Sequence, residues 1–172
     1  MTSESMRVCS CCGKLVPLSD VEYSFAYPDA YYVLDETARS ASGTRCDNNF
    51  CMIEGRRWFV RGVIPFPVEG EDVYRIGAWA ELSESDWRIV LDSWDEPGSD
   101  SLPLLAGTLA NHIPETYQLS TLGLSLKLRL HDATRPSFHF AGTGHPVEDE
   151  QLQGISLHRA RYFTDLPSNG RD

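Results

Sequence analysis

The chain has 172 residues, with 15 basic against 25 acidic side chains and a formal net charge of −10. A surface this negative repels phosphate backbones, which argues against nucleic-acid binding and suits a soluble protein or one that docks on a basic partner. No apolar run approaches the roughly 18 residues of a membrane-spanning helix, so no membrane role is expected.

The length fits a single domain over 1–172, with an ordered core expected from about residue 6 to 166. The start, Met1-Thr2-Ser3-Glu4-Ser5, has neither the basic nor the apolar part of an export signal, and the cytoplasm is the expected compartment. Cys9-Ser10-Cys11-Cys12-Gly13-Lys14 follows, a C-x-x-C-G-K turn of the kind that lets two thiolates grip one metal ion. A Tyr-rich stretch runs from Tyr23 to Leu34, and residues 35–49 are polar and read as a loop with at most one helical turn.

Strand patterns come next. Phe50-Cys51-Met52-Ile53, the turn Glu54-Gly55 and Trp58 to Ile64 read as a hairpin, with Pro65 and Pro67 ending or edging its second strand. Val73 to Leu82 is a third strand, and the three are expected to form an antiparallel meander. Ser83 caps the clearest helix, whose Trp87, Val90, Leu91 and Trp94 make one apolar stripe ended by Pro97-Gly98. The even-numbered leucines from Leu122 to Leu130 alternate with polar residues as a half-buried strand does. Arg135-Pro136 is expected to turn the chain into a partner strand carrying Phe138 and Phe140. Glu148 opens a helical stretch broken at Gly154, and a last helix is predicted from Ser156 to about Asp165. The fold class is α+β: an antiparallel β-sheet with two or three helices and an N-terminal zinc-knuckle-like turn.

Five cysteines without an export signal point to metal binding or catalysis rather than to a disulfide framework. Two thiolates leave zinc under-coordinated, so Cys9 and Cys12 need further ligands. Cys51, at the opening of a strand, is the third. The fourth is His145, in a glycine-rich turn before Pro146, or alternatively Cys46, whose sulfur can join Cys51 if residues 47–50 bend. No H-E-x-x-H or deaminase-type motif accompanies the ligands, so a structural Zn2+ is expected, contributing to folding free energy. A disulfide-exchange reading of Cys9 and Cys12 is the rival, but no apolar strand precedes the pair.

No catalytic or cofactor-binding residue is assigned. No nucleophile elbow, P-loop or dinucleotide fingerprint is present. His131-Asp132 and His112 with Glu115 read as strand-end and turn pairs and the tryptophans as core, while Arg56, Arg57 and Arg61 make a small basic cluster that pairs with nearby carboxylates or, alternatively, binds an anion.

Cys9, Cys12 and Gly13, then Cys51 and Ile53, Phe59-Val60-Arg61-Gly62, Ile64-Pro65, Leu82-Ser83, Arg135-Pro136, His145-Pro146 and Gly154-Ile155 occur in an order that resembles the bacterial family of unknown function DUF2199. The resemblance covers roughly residues 7–166. Asn49 stands where the family pattern has Asp, and Ile76 where it has Trp; Cys11 and Cys46 look peculiar to this chain, which favours His145 as a shared ligand. The resemblance implies a small bacterial cytoplasmic protein and brings no established activity with it.

The expectation is therefore a non-enzymatic, acidic, zinc-stabilised module that binds a basic protein, with an immunity protein neutralising a toxin as its concrete form. A zinc-dependent or acid–base enzyme and a thiol redox or metal sensor are the alternatives. Sequence gives neither the partner nor the oligomeric state.

Overall fold

A computed structural model describes residues 5–8, 13, 15–18, 23–69, 72–113, 117–132 and 134–166. The fold is α+β, with nine strands and five helices among the described residues, where two or three helices were expected. Two of the helices are single short turns, α1 (Asp29–Tyr32) in the Tyr-rich stretch and α2 (Glu36–Ser40) in the stretch read as a loop with at most one helical turn. Asp35 makes the second one by accepting a hydrogen bond from the Ala38 amide.

Strands β1 (Ser5–Val8) and β2 (Leu15–Leu18) form a separate antiparallel ribbon. The other seven make one sheet in the order β3 (Arg45–Cys46), β4 (Phe50–Ile53), β5 (Arg57–Val68), β6 (Asp72–Leu82), β7 (Leu105–Leu109), β8 (Ser125–His131) and β9 (Thr134–Phe140). The expected meander is β4–β5–β6. The sheet then closes on itself, because β9 runs parallel to β5 and pairs with it at Val63 and Ser137. Five strands, β5 to β9, thus form a barrel, from which β4 and β3 extend as a flap beside the first half of β5.

Alternation decides which side chains fill the barrel. Val60, Ile64 and Phe66 of β5 share a face with Ile76, Ala78 and Ala80 of β6, and all are buried. Leu126 and Leu128 of β8 meet Phe140 and Phe138 of β9 on the same side. One end of the barrel is covered by α5 (Leu157–Thr164), whose Phe163 stacks on Phe66 and Tyr74 at ring distances of 5.6 and 6.0 Å. The ribbon strand β2 lies alongside this helix.

Pro65 and Pro67 lie inside β5 instead of ending it. Their carbonyls point away from β6, accepting hydrogen bonds from the Gln151 side chain and the Ile155 amide. A strand residue's nitrogen points to the same side as its carbonyl, so neither proline removes a bond from the β6 ladder. The turn between β8 and β9 likewise comes earlier than Arg135-Pro136, which sit within β9. Gln151, on α4 (Pro146–Gln153), ties the seam: its Oε1 accepts from the Phe140 amide and its Nε2 donates to the Phe138 and Pro65 carbonyls.

On the outer wall, Tyr23 and Phe25 lie over β6, with Gly77 bonded to both through backbone groups. Beneath them Trp79 is buried. Asn111 accepts from its backbone amide and donates to Tyr27 O and Asp29 Oδ1. No helix among the described residues is long and apolar enough to cross a membrane.

Candidate functional site

The Asp47–Phe50 bend shapes the tip of the flap. Asp47 Oδ1 accepts from the amides of Asn49 and Phe50, both at 2.8 Å, and the Asp47 amide donates to Phe50 O at 2.9 Å. This closes a two-residue hairpin over Asn48 and Asn49. Cys46 is consequently directly opposite Cys51, one step beyond a hydrogen-bonded pair, where facing side chains approach most closely. Both are free thiols. Cys51 is 0% exposed and Cys46 half-buried. A hydrogen bond with Cys46, reinforced by burial, pushes the Cys51 thiol far up from its ordinary range.

The opposite face of the flap meets α3 (Glu84–Ser93), which Ser83 caps by accepting from the Asp86 amide. The stripe on this helix is partly core and partly surface. Val90 is buried, whereas Trp87 is half-buried and Leu91 is 43% exposed. Phe50 packs edge-on against Trp87 and Trp94 at 5.8 and 4.9 Å, and Trp87 Nε1 donates to Phe59 O at 3.0 Å, which fixes the indole. A groove of about 370 Å³ opens here, floored by Phe50, Met52, Trp87 and Leu91 and edged by Cys46 and Asp47. A second hollow of about 420 Å³ shares Asp47, Phe50 and Leu91 with it and adds Trp94 and Asp95. Residues 84–96 carry Glu84, Asp86, Asp92, Asp95 and Glu96 against one cation, Arg88, itself paired with Glu84 at 2.7 Å. The result is an aromatic hollow whose rim is mainly acidic, with Arg45 as the cation among its lining residues.

The sequence-predicted metal ligands separate into three groups. Cys9 and Cys12 lie outside the described residues, as does Cys11. Cys46 and Cys51 are brought together. His145, expected in an exposed turn, is instead 4% exposed and caps α4: its Nδ1 accepts from the Val147 amide at 3.1 Å and its Nε2 donates to Leu119 O at 3.0 Å. A neutral imidazole with both nitrogens so engaged has no lone pair left for a metal. Among the described residues no three His, Cys, Asp or Glu side chains converge as metal ligands would.

His131 and Asp132 do not form a catalytic dyad. Asp132 accepts from the Gly98 and Asp100 amides and the Ser99 hydroxyl, which holds its carboxyl below the usual range, while His131 faces Ser137. The His112 amide donates to Asp29, and Glu115 lies outside the described residues. Sequence reading missed Phe50 as a groove residue, because its strand alternation marks it only as apolar. It also missed a His131–Ser137–His139 cluster, whose members come together only through the β8–β9 register.

A family model described as "Uncharacterized protein conserved in bacteria (DUF2199)" matches residues 8–155. No curated protein and no solved structure matches the chain.

Proposed function

The chain belongs to the DUF2199 family, and from that premise we propose that it is a non-enzymatic module that captures a basic protein partner in the hollow between the flap and α3. The observation that carries this is the pairing of a partly exposed aromatic floor, Phe50, Trp87 and Leu91, with the carboxylates Asp47 and Asp95. Aromatic anchors supply binding energy when a partner excludes water from them, and a surrounding field of one sign steers and orients an oppositely charged partner. Neutralisation of a cationic bacterial toxin is the concrete form of this reading.

The test is calorimetric titration with the toxin-like product of a neighbouring gene. Trp87→Ala should weaken binding by at least about tenfold, and Asp47→Asn with Asp95→Asn should slow association and blunt its salt dependence. Absence of binding, or binding indifferent to these substitutions, removes the reading.

Structural zinc is part of the same proposal. The facing sulfurs of Cys46 and Cys51 suit the second half of a four-thiolate set with Cys9 and Cys12, a better match than a set using His145. Strand β2 lies alongside α5, at the Phe66 end of β5, and Cys51 pairs with Phe59, seven residues from Phe66 along that strand, or roughly 23 Å. Zinc content lost in both Cys12→Ser and Cys51→Ser supports the shared site; zinc lost only in Cys12→Ser assigns it to the knuckle, and zinc absent from the unsubstituted protein ends this part of the proposal.

A further inference from the structure

The outer wall of the barrel across β5, β9 and β8 carries a charge pattern opposite to that of the chain as a whole. Val63 aligns with Ser137 and Ser137 with Arg129 across the three strands. Arg61 and Arg135 lie on one side of this row, where a bulge sets His131 opposite Thr134, and Pro65, His139 and Lys127 lie on the other. Four permanent cations and two imidazoles share this face, and none of its nine residues is acidic.

These cations also have no carboxylate partner among the described residues. Arg57, Arg88, Arg159 and Arg161 each pair with an acid, at 2.7 to 2.9 Å. Among the described residues Arg61, Lys127, Arg129 and Arg135 pair with none. Two of them are nonetheless held in place by the flap tip: Arg135 Nε donates to Asn49 Oδ1 at 3.1 Å, and Arg61 Nη1 reaches Asn48 O at 3.5 Å. The Arg61 Nε is buried with no partner. Burial, then the neighbouring charge of Arg135, push the Arg61 guanidinium below its ordinary range.

At the centre Ser137 is 7% exposed, with its hydroxyl 2.8 Å from His131 Nε2 and 3.0 Å from His139 Nε2. One hydroxyl carries one hydrogen, so it donates to one ring and accepts from the other. The ring that accepts must carry its own proton on Nδ1, which leaves an N–H donor beside the arginines.

We propose that this wall binds the phosphoryl group of a small phosphorylated metabolite. Paired guanidiniums, an ammonium and an imidazole N–H are the donor set that a compact, multiply charged oxyanion recruits. Three strands span only about 10 Å, enough for such an anion. The net charge of −10 repels any polyanion long enough to run beyond the patch.

The experiment titrates the full chain with inorganic pyrophosphate, followed by calorimetry and by the imidazole resonances of His131 and His139. Saturable one-to-one binding that shifts both imidazoles is expected, weakened at least about tenfold by Arg135→Gln and left within about twofold by Arg56→Gln, a control on the exposed turn before β5. Failure to saturate, equal weakening by Arg56→Gln, or displacement by chloride at matched ionic strength overturns the proposal. So does a short DNA duplex binding more tightly than pyrophosphate. Should Arg135→Gln not fold, the imidazole shifts of the unsubstituted protein decide: unmoved rings sink the site.

Discussion

Gly62 faces the Phe138 ring with no space for a methyl group between them. A Cβ at Gly62 would overlap that ring and lie 2.6 Å from the Pro136 carbonyl oxygen. This contact stands next to the only place where β5 meets β9 among the described residues, so the barrel closes where β5 has no side chain to hold it open. Gly62→Ala should destabilise the fold by about 2–4 kcal/mol through overpacking, seen as a lower denaturant midpoint. Phe138→Leu, damaging alone through the cavity it leaves, should recover part of the loss in the double variant. Additive losses would show that the two do not compete for one space.

Gln151 binds three backbone groups across the seam, the Phe140 and Phe138 bonds buried and the Pro65 bond part-buried. Gln151→Ala orphans the Phe140 amide and two carbonyls and should cost about 2–3 kcal/mol. Gln151→Glu keeps the acceptor for Phe140 N but sets a carboxylate against two carbonyls. It should be the worse variant at pH 8 and should recover on acidification, as thermal unfolding at two pH values would report.

The facing thiols predict a specific chemistry. Treatment with oxidised glutathione should join Cys46 to Cys51, the two thiols giving up two electrons and two protons to reduce one glutathione disulfide to two thiols. Cys46 attacks first, being the half-exposed member beside a buried thiol whose pKa is pushed up, so a mixed disulfide on Cys46 precedes the bridge. Peptide mass mapping should find this order and should show Cys51→Ser arrested at the mixed form. Mixed disulfide on Cys51 in the native protein would contradict the burial described above.

His139 supplies a pH dependence. Burial, then the charges of Arg129 and His131, depress its pKa from the ordinary 6.5; Lys127 stands opposite it on β8 and adds no compensating negative charge. The unfolded chain then binds the proton more readily than the folded one, so stability rises with pH across this window. The contribution is complete above about pH 6.5 and is lost as pH falls toward the depressed folded value. Denaturation of His139→Gln should show a shallower decline between pH 7 and 5 than the parent protein; an identical slope would assign the decline to other groups.

Much of the sheet was readable in the sequence because strand composition and alternation are local signals. β4, β5 and β6 follow from aromatic and β-branched runs with a Glu54-Gly55 turn between the first two, β8 from a run of period two, and α3 from Ser83 and a four-residue stripe. The closure was not readable. It rests on Val63 meeting Ser137 in parallel, and nothing near either residue signals a partner so distant in the chain. The same reason hid the cationic wall, whose rows are drawn from three strands. Pro65 and Pro67 misled in another way, since a proline bars a strand only where its nitrogen must donate. At this seam the nitrogens face α4. His145 looked like a ligand because its glycine-rich setting suggested exposure, whereas its neighbours Val147 and Leu119 use it to finish a helix.

The seam between β5 and β9 also sets a schedule for biosynthesis. As the nascent chain leaves the ribosome, β4, β5 and β6 can pair in order, but the free margin of β5 beyond Arg61 has no mate until the last third of the protein has emerged. An unpaired strand margin recruits other chains. Translation stalled before β9 should therefore leave a sticky intermediate that needs chaperone cover, and premature termination there should yield insoluble fragments rather than a smaller stable domain.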